Sequence, residues 1–370
     1  MGRPPPRRGG VEAMKSKVYF IKATAEEGHE AISHKAWKVF LRIGLHDLLD
    51  KEDFVALKIH FGEMNNTGYI RPQWLRDVIS EIRKKTRRAF LTDSNTLYVG
   101  HRSNSVDHIR LAWSHGFTPD IIDIPVIIAD GLIGRDKQEG KGTHSRVKSP
   151  KIGSAFLNSD ALLCLTHVTG HAQTGIGAAL KNLGMGCASR AGKLDQHSVA
   201  HPRVNPKACR NCSLCLDYCP AEAIVQAEGH VVIDDKKCIG CGECLVVCKH
   251  DAIRLRWDED FKRIQEKIAE YALHVQRIFK DKVGFLNFLI KITKDCDCMA
   301  KDQPRIVDDI GILASNDPLA IDKASADLVL ERSKGKDVFR AGYNIDWSNQ
   351  LRHGVEIGLG SMDYELVEFS

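Results

Sequence analysis

Eight cysteines in the middle of the chain repeat one spacing twice, and this repeat restricts the fold more than any other feature. The first copy reads Cys-x-x-Cys-x-x-Cys-x-x-x-Cys from Cys209 to Cys219, and the second repeats it from Cys238 to Cys248. With this spacing a tight loop directs three thiolates at one iron-sulfur cube, while the fourth cysteine reaches the other cube. The pattern therefore predicts two 4Fe-4S clusters.

The crossed arrangement predicts which cysteines share a cluster. Each set takes three cysteines from one copy and the last cysteine of the other: Cys209, Cys212, Cys215 and Cys248, and Cys238, Cys241, Cys244 and Cys219. Zinc needs only four ligands per ion and has no use for a third cysteine at this spacing. A disulfide framework is typical of small secreted chains. Both alternatives explain the pattern less well than clusters do.

The residues around the cysteines repeat as well. Residues 220–224 correspond to residues 249–253, so each copy is predicted to contain a loop, a short helix and a strand. Residues 207–255 resemble a bacterial-type two-cluster ferredoxin. Lys249 departs from the Pro220 of the first copy, and a nearby cation can favour the reduced, more negative state of a cluster.

The composition is that of an ordinary globular protein. The chain has 370 residues, 43% hydrophobic and 27% charged, with a net charge of +5, which is enough for two or more domains. Residues 1–14 form a tail rich in Pro and Arg that is predicted to be disordered. No apolar run is long enough to span a bilayer or to serve as a signal peptide. Together with oxygen-sensitive clusters, this predicts the reducing cytoplasm of an anaerobe.

A basic run at residues 83–88 raises the question of nucleic-acid binding. It ends a predicted helix, where cations complement the helix dipole, and it contains no aromatic residue for base stacking. The sequence therefore favours a solvated face and no nucleic-acid partner. Docking of an acidic electron-transfer protein remains an alternative.

Strand and helix patterns alternate on both sides of the cysteine repeat. Strands are predicted at residues 18–21, 54–61, 89–92, 121–129, 161–166, 285–292 and 306–314, and helices at residues 30–41, 72–82, 106–113, 258–282 and 319–330. This alternation predicts an α/β fold with a mainly parallel sheet and helices on both faces. Function collects at the carboxyl ends of such strands, where His60, Glu63, Asp93 and Asp130 are predicted to lie.

A glycine-rich unit follows the strand at residues 161–166. Gly175, Gly177 and Lys181 stand where a turn leads into a helix, so its free N–H groups could bind an anionic cofactor. The pattern is neither a Walker loop nor a dinucleotide fingerprint. His167, His171 and His197 surround this unit. The alternative is that the glycines permit close packing and that hydrogen bonds satisfy the histidines.

A second pair of cysteines, Cys296 and Cys298, lies in the run Asp-Cys-Asp-Cys. Side chains alternate along a strand, so both thiols can face one point only from a loop. They are candidates for an additional metal site or for redox use. The alternative is that one or both simply pack in the core.

These observations predict a discontinuous architecture. Residues 15–200 and 257–370 form one α/β domain, and residues 201–256 form a small α+β ferredoxin-like iron-sulfur insert.

Several blocks outside the repeat are together similar to the domain-of-unknown-function 362 family with a ferredoxin insert. The blocks are Phe61-Gly-Glu63, Leu91-Thr-Asp-Ser-Asn-Thr96, Ala129-Asp-Gly131, residues 177–187, Asp295-Cys-Asp-Cys298 and Asp309-Ile-Gly311. The resemblance implies an iron-sulfur protein of prokaryotic anaerobes whose reaction is not established.

A more remote resemblance connects the glycine-rich unit with nickel-pincer lactate racemases. It implies that Lys181 carries the pincer, that His197 binds nickel and that His171 moves a substrate proton. That family lacks the ferredoxin insert, so a shared ancestral fold with different chemistry is favoured over racemisation.

Three functions are compatible with these observations. The first is electron transfer between a partner protein and a redox site in the α/β domain. That site could take a small-molecule ligand. The second is a binding or maturation module in which the clusters are structural. The third is a non-redox metalloenzyme built on Lys181, His171 and His197. Two clusters favour the first, because one would suffice to stabilise the fold.

Overall fold

The computed structural model describes residues 15–98, 100–197, 202–219, 221–238, 243–250, 252–254 and 261–369. Its strands, in chain order, are β1 (Ser16–Lys22), β2 (Val55–Lys58), β3 (Ala89–Asp93), β4 (Val126–Ile128), β5 (Lys137–Glu139), β6 (Lys151–Gly153), β7 (Ala161–His167), β8 (Thr169–His171), β9 (Gly175–Gly177), β10 (Arg203–Val204), β11 (Ile224–Gln226), β12 (Val231–Ile233), β13 (Ile253–Arg254), β14 (Val283–Leu289), β15 (Gly311–Ser315) and β16 (Tyr364–Glu368). The predicted tail at residues 1–14 lies outside this range.

Helices connect most of these strands. They are α1 (His29–Arg42), α2 (Arg76–Lys85), α3 (Ser105–Ser114), α4 (Pro119–Ile122), α5 (Ser154–Leu157), α6 (Ala179–Gly184), α7 (Arg190–His197), α8 (Leu214–Asp217), α9 (Glu243–Val247), α10 (Phe261–Phe279), α11 (Pro318–Arg332), α12 (Val338–Tyr343) and α13 (Ser348–Glu356). Within the described ranges, none of them combines the length and the apolar character needed to cross a bilayer.

Eight strands form one twisted sheet in the order β16-β1-β15-β14-β7-β2-β3-β4. β2 pairs in parallel with both β3 and β7, and β7 pairs in parallel with β14. β15 runs antiparallel to both β1 and β14. The prediction of a mainly parallel α/β sheet is confirmed, although the sequence did not indicate that β15 would be reversed.

Apolar side chains cover both faces of this sheet. Along β7, Leu162 and Cys164 pack on one face with α6, α10 and α11, while Leu163 and Leu165 pack on the other with α1 and α2. Successive side chains of a strand point to opposite faces, so a central strand covered on both sides is apolar at every position. Helices on both faces, as predicted, are therefore confirmed.

Several predicted element boundaries are wrong; for example, the strand expected at residues 285–292 is β14, which ends at Leu289. The strand expected at residues 54–61 ends at Lys58, and the strand expected at residues 306–314 begins at Gly311. Residues 121–122 belong to α4, because Pro119 is well suited to the first turn of a helix. After Lys58 the chain leaves the sheet early, and residues 59–63 run over its carboxyl edge.

The cysteine repeat contains two short helices, α8 and α9, each followed by a strand. β10 pairs with β13 and β11 pairs with β12, both antiparallel. Its small core includes Cys215 and Cys244 and reaches two side chains of the large sheet's periphery, Leu97 and Leu194. Apolar contact therefore joins the repeat to the body of the protein near the carboxyl edge of β3. Cys241 lies outside the described residues.

Candidate functional site

A buried carboxylate, Asp93, ends β3 at the centre of the site. Lys58, the last residue of the neighbouring strand β2, places Nζ 3.0 Å from its Oδ1. Arg102 and His108 approach Oδ2 at 3.8 and 3.6 Å. Burial opposes ionisation, but Lys58 and the other cations outweigh it and hold the pKa of Asp93 well below its usual range. Asp93 is therefore the permanent counter-ion of this cluster.

Arg102 gathers residues from several strand ends. Its guanidinium contacts Glu63 Oε2 at 3.2 Å and His60 Nε2 at 2.8 Å, and it also donates to the Tyr98 hydroxyl. His60, Glu63 and Asp93 therefore lie together at one edge of the sheet, as their predicted positions at strand ends suggested. Arg102, which connects them, was not indicated by the sequence. Arg102 lies in a loop between β3 and α3, where no periodicity marks it.

Asp130 is bound on the same edge through Asn95, whose backbone N–H and side-chain amide both donate to its Oδ1 at 2.9 Å. Burial raises the pKa of Asp130 to about 6. This carboxyl group consequently exchanges its proton near neutral pH, in contrast to Asp93.

Lys181 of α6 lies among other cations. Burial, Lys58 and Arg102 lower its pKa to about 8, and Lys193 contributes in the same direction. Lys193 donates to the Ala188 carbonyl oxygen at 2.8 Å and also to the Ser94 hydroxyl. Three lysines and one arginine therefore converge on a region with few ionised carboxylates, an arrangement that favours an anionic ligand.

His171 ends β8, which forms a hairpin with β9 in place of the simple turn expected from the glycines. Its Nδ1 accepts the backbone N–H groups of Gln173 and Thr174 at 3.2 and 3.3 Å. Burial, Lys181 and His197 lower the pKa of His171 well below its usual value, so the ring is neutral. The three residues predicted to act together, His171, Lys181 and His197, are thus close enough to interact electrostatically.

The free N–H groups expected ahead of Lys181 are not available, and this part of the expectation is wrong. Asp322 of α11 accepts the N–H groups of Ala179 and Leu180, both at 2.8 Å. Burial raises the pKa of Asp322 to about 7. A carboxylate from the protein itself therefore caps α6, and any anion must be bound by side chains.

The two glycines of this unit have different neighbours. Gly175 has φ +73°, and a Cβ atom there would lie 2.8 Å from Cβ of Trp347, so close packing requires glycine. A Cβ at Gly177 would make ordinary contacts, 3.8 Å from the Cβ of His171 and 3.9 Å from the Cδ of Lys181. Gly177 therefore borders the site, whereas Gly175 has a packing role.

His167 is a structural residue. Its Nδ1 lies 2.9 Å from Oδ2 of Asp297 and its Nε2 lies 2.9 Å from the Ile290 carbonyl oxygen. Burial alone would lower the pKa of His167, but the Asp297 carboxylate raises it above the ordinary value. Both ring nitrogens are occupied, as the packing alternative predicted for this histidine.

Cys296 and Cys298 lie in the loop after β14 and form a disulfide, with their Cα atoms 5.3 Å apart. The two sulfur atoms and a ring nitrogen of His171 all lie within 4.8 Å of one another. In the described part of the chain this is the one group of three such side chains compact enough to hold a single metal ion. Both sulfur atoms face one point because they lie in a loop and not in a strand, where alternate side chains would be held on a fixed face.

By contrast, no disulfide is formed by Cys209, Cys212, Cys215, Cys219, Cys238 or Cys248, which belong to the described part of the repeat. Burial, together with the neighbouring sulfur atoms of Cys248, Cys209 and Cys212, raises the pKa of Cys215 to about 11. Backbone N–H groups donate to sulfur at Cys209 (from Asn211, 3.4 Å) and at Cys219 (from Ala223, 3.2 Å). Cys248 is thus close enough to influence Cys215, which is more than thirty residues away in the sequence.

Tyr98 connects the repeat with the second cysteine pair. The preceding residue, Leu97, belongs to the same small apolar core as Cys215. The Tyr98 hydroxyl donates to the Cys298 carbonyl oxygen at 3.4 Å. Arg135 also lies over the ring of Tyr218, 4.5 Å from its centroid. The repeat is therefore packed at the carboxyl edge of the sheet that carries the polar site.

Several residues of the site were not predicted from the sequence, chiefly Lys58, Arg102, His108, Lys193 and Asp322. One signal was available: Lys58 interrupts an otherwise apolar strand, and a lysine at such a position is rarely buried without a partner. The others become neighbours only through the fold.

Comparisons with known proteins identify a family and two similar structures. A family model described as Domain of unknown function (DUF362) matches residues 55–327. The lactate racemase apoprotein from Thermoanaerobacterium thermosaccharolyticum has 11% identity and a TM-score of 0.42, over 82% of this chain and 54% of that one. A protein from Thermotoga maritima has 8% identity and a TM-score of 0.39, over 83% and 59%. The chain thus spans little more than half the length of either structure. No curated protein matches the sequence.

Proposed function

This chain belongs to the family described as domain of unknown function, DUF362, and we propose that it is an iron-sulfur protein that carries low-potential electrons. The electrons pass between a redox partner protein and the polar site at the carboxyl edge of the sheet. Residues 201–256 are the two-cluster ferredoxin-like insert, and residues 15–200 with 257–370 form the α/β domain. The proposal also assigns the protein to the reducing cytoplasm.

The surroundings of Cys215 carry this proposal. Its three sulfur neighbours, Cys209, Cys212 and Cys248, are the partners that the spacing assigns to one cluster. A single metal ion would need ligand atoms closer together, whereas a cube of four irons separates its four thiolates. Free thiols that converge without forming disulfides fit this donor set. The second set is Cys219, Cys238 and Cys244 with Cys241.

When bound, the two clusters would supply one-electron reduction at low potential. The residues of the chain provide the setting. The N–H groups of Asn211 and Ala223 donate to cysteine sulfur, which stabilises negative charge there. Leu97 and Leu194 exclude water between the repeat and the sheet. Lys58, Lys181, Lys193 and Arg102 then bind and orient an anionic small molecule beside this contact.

Iron analysis of anaerobically purified protein tests the proposal. We expect about eight irons per chain, together with a reduced-state electron paramagnetic resonance signal of two clusters. Cys187 is buried and free but distant in sequence from the repeat, so Cys187→Ala is the matched control and retains both. Colourless protein, or protein with zinc in place of iron, would exclude the proposal.

A second function has one observation in its favour, the mutual proximity of His171, Lys181 and His197. A lysine whose pKa is lowered to about 8 is a better nucleophile than an ordinary lysine and could hold an organic or metal-bearing cofactor covalently. In that case the clusters would be mainly structural. Mass spectrometry of the peptide that contains Lys181 distinguishes the two functions, because only the second predicts an added mass.

A further inference from the structure

We propose that Cys296 and Cys298 are a redox-active dithiol–disulfide couple, with His171 as the residue that stabilises the reduced form. This inference depends on the proposed function only for the supply of electrons. It makes the disulfide of Cys296 and Cys298 the group that accepts electrons beside the polar site. The argument uses the chemistry of three groups that the fold brings within 4.8 Å of one another.

The tautomer of His171 distinguishes this role from metal binding. Its Nδ1 accepts two backbone N–H groups, from Gln173 and Thr174. A neutral imidazole carries one proton, which must then lie on Nε2. A metal ligand needs a lone pair at the coordinating nitrogen, whereas Nε2–H is a hydrogen-bond donor. We therefore assign to His171 a hydrogen bond to a cysteine sulfur.

The disulfide is poorly suited to a structural role. It links residues only two positions apart. The stabilisation of a fold by a disulfide grows with the length of the closed loop, and even a 15-residue loop contributes only about 3 kcal/mol. A much shorter loop contributes less, so stability gives little reason for this pair.

Accessibility also fits a redox role. Cys296 and Cys298 are half-buried, whereas the other cysteines of the α/β part, Cys164 and Cys187, are fully buried. Thiol chemistry requires access by a reactant. The same loop is bonded through Tyr98 to the surface where the cysteine repeat packs. The pair is therefore connected through Tyr98 to the side of the sheet edge on which the expected source of electrons packs.

The half-reaction balances without a further co-reactant. The bond between the two sulfur atoms breaks as the pair takes up two electrons and one proton, which yields one thiol and one thiolate. The electrons come from two equivalents of a low-potential, one-electron iron-sulfur reductant, and the proton comes from water at the half-exposed pair. The Nε2–H group of His171 stabilises the thiolate.

Electron counting on the whole protein tests this inference. The anaerobic protein is oxidised with diamide, freed of it and titrated with dithionite, while iodoacetamide labelling and mass spectrometry report the state of the Cys296–Cys298 peptide. We expect roughly four electrons per chain, two for the clusters and two for the disulfide. The peptide should be unlabelled before reduction and labelled afterwards. Cys298→Ala should take up roughly two electrons, and Cys164→Ala should behave as the wild type.

The role of His171 has its own readout. His171→Ala should still form the disulfide but react with iodoacetamide about tenfold more slowly at fixed pH, because the thiolate loses a hydrogen bond. His171→Gln, which keeps an N–H donor, should restore part of the rate. Equal rates in all three proteins would remove His171 from the couple.

The outcomes separate the two proposals. If iron is present and the protein takes up roughly two electrons while the peptide stays unlabelled, the couple is refuted and the proposed function stands. If the disulfide is reduced and re-formed but iron is absent, the redox couple stands and the proposed iron-sulfur function is refuted. Zinc retained by the reduced protein and lost in His171→Ala would identify a metal site and overturn the redox assignment.

Discussion

Lys58 and Asp93 form a buried ion pair across two adjacent parallel strands, with Nζ and Oδ1 3.0 Å apart. Each is the last residue of its strand, so the parallel pairing of β2 and β3 brings them together. Lys58 also donates to Oδ1 of Asn182 at 2.7 Å, which ties α6 to the same point. The stability of the fold and the arrangement of the site therefore share one interaction.

Removal of the Asp93 charge should be costly. Asp93→Asn leaves Lys58 buried without its counter-ion, and we expect a loss of about 3–5 kcal/mol in the free energy of unfolding. The exposed pair of Lys22 and Glu368 provides the control, since Glu368→Gln should cost less than about 1 kcal/mol. Urea denaturation measures both. Equal losses would mean that the buried pair is no stronger than a surface pair.

Cys212→Ser tests the assignment of cysteines to clusters. Cys212 is an exposed cysteine of the repeat, so its replacement should disturb packing little. We expect the iron content to fall from about eight to about four per chain, with one reduced cluster signal left. Unchanged iron and an unchanged electron paramagnetic resonance spectrum would contradict its place in the set.

Asp322 should make stability depend on pH. Because burial raises its folded-state pKa from 3.8 to about 7, the folded state holds this proton more tightly than the unfolded state does. The stabilisation is complete below pH 4 and is lost as the pH rises towards 7. Relative to Asp322→Asn, the wild type should therefore lose stability over that window, by an amount on the order of 2–4 kcal/mol.

Thermal or urea unfolding of both proteins from pH 4 to 8 measures this difference. Asp337→Asn changes a cap at the start of α12, where Asp337 accepts the N–H of Arg340 at 2.9 Å. Asparagine is an equally good cap, so this control should follow the wild type at each pH. Parallel curves for Asp322→Asn and the wild type would show that Asp322 is ionised throughout.

Gly170→Ala should separate the His171 hairpin from the loop that carries Cys296. A Cβ atom at this position would lie 2.1 Å from the Lys294 carbonyl oxygen, while the Gly170 N–H donates to the Thr293 carbonyl oxygen at 2.8 Å. We expect a loss of about 1–3 kcal/mol in unfolding free energy. Slower alkylation of the reduced pair should accompany it.

Gly28→Ala is the matched control, because no atom lies within 4 Å of a Cβ there and its φ is −61°. Its effect should stay below about 1 kcal/mol, because it changes only the N-cap of α1. Should Gly170→Ala prove as mild as this control, the contact between the hairpin and the loop would not matter for the site.

The predictions from sequence succeeded where a pattern is local. The apolar runs of β7 and the helical period of α10 are imposed by burial of neighbouring positions, so both elements could be read directly. The cysteine spacing is also a local pattern, but the assignment of its thiols to two clusters stays a prediction. His60, Glu63 and Asp93 were predicted near the ends of strands, and they lie at a common edge because parallel strands end on the same side of the sheet.

Contacts between distant segments were decided by the tertiary structure alone. Asp322 of α11 caps α6, although it is 143 residues from Ala179 and 142 residues from Leu180. It accepts the two backbone N–H groups that the sequence analysis expected to be free. Arg102, from a loop without periodicity, joins the strand ends, and the fold brings Cys296 and Cys298 to His171. Such contacts depend on how helices and loops pack over the sheet, and side-chain packing over long separations leaves no period in the chain. The sequence alone therefore determined the class of fold, and it predicts the cysteine sets, while packing decided which charged and sulfur-containing groups share one site.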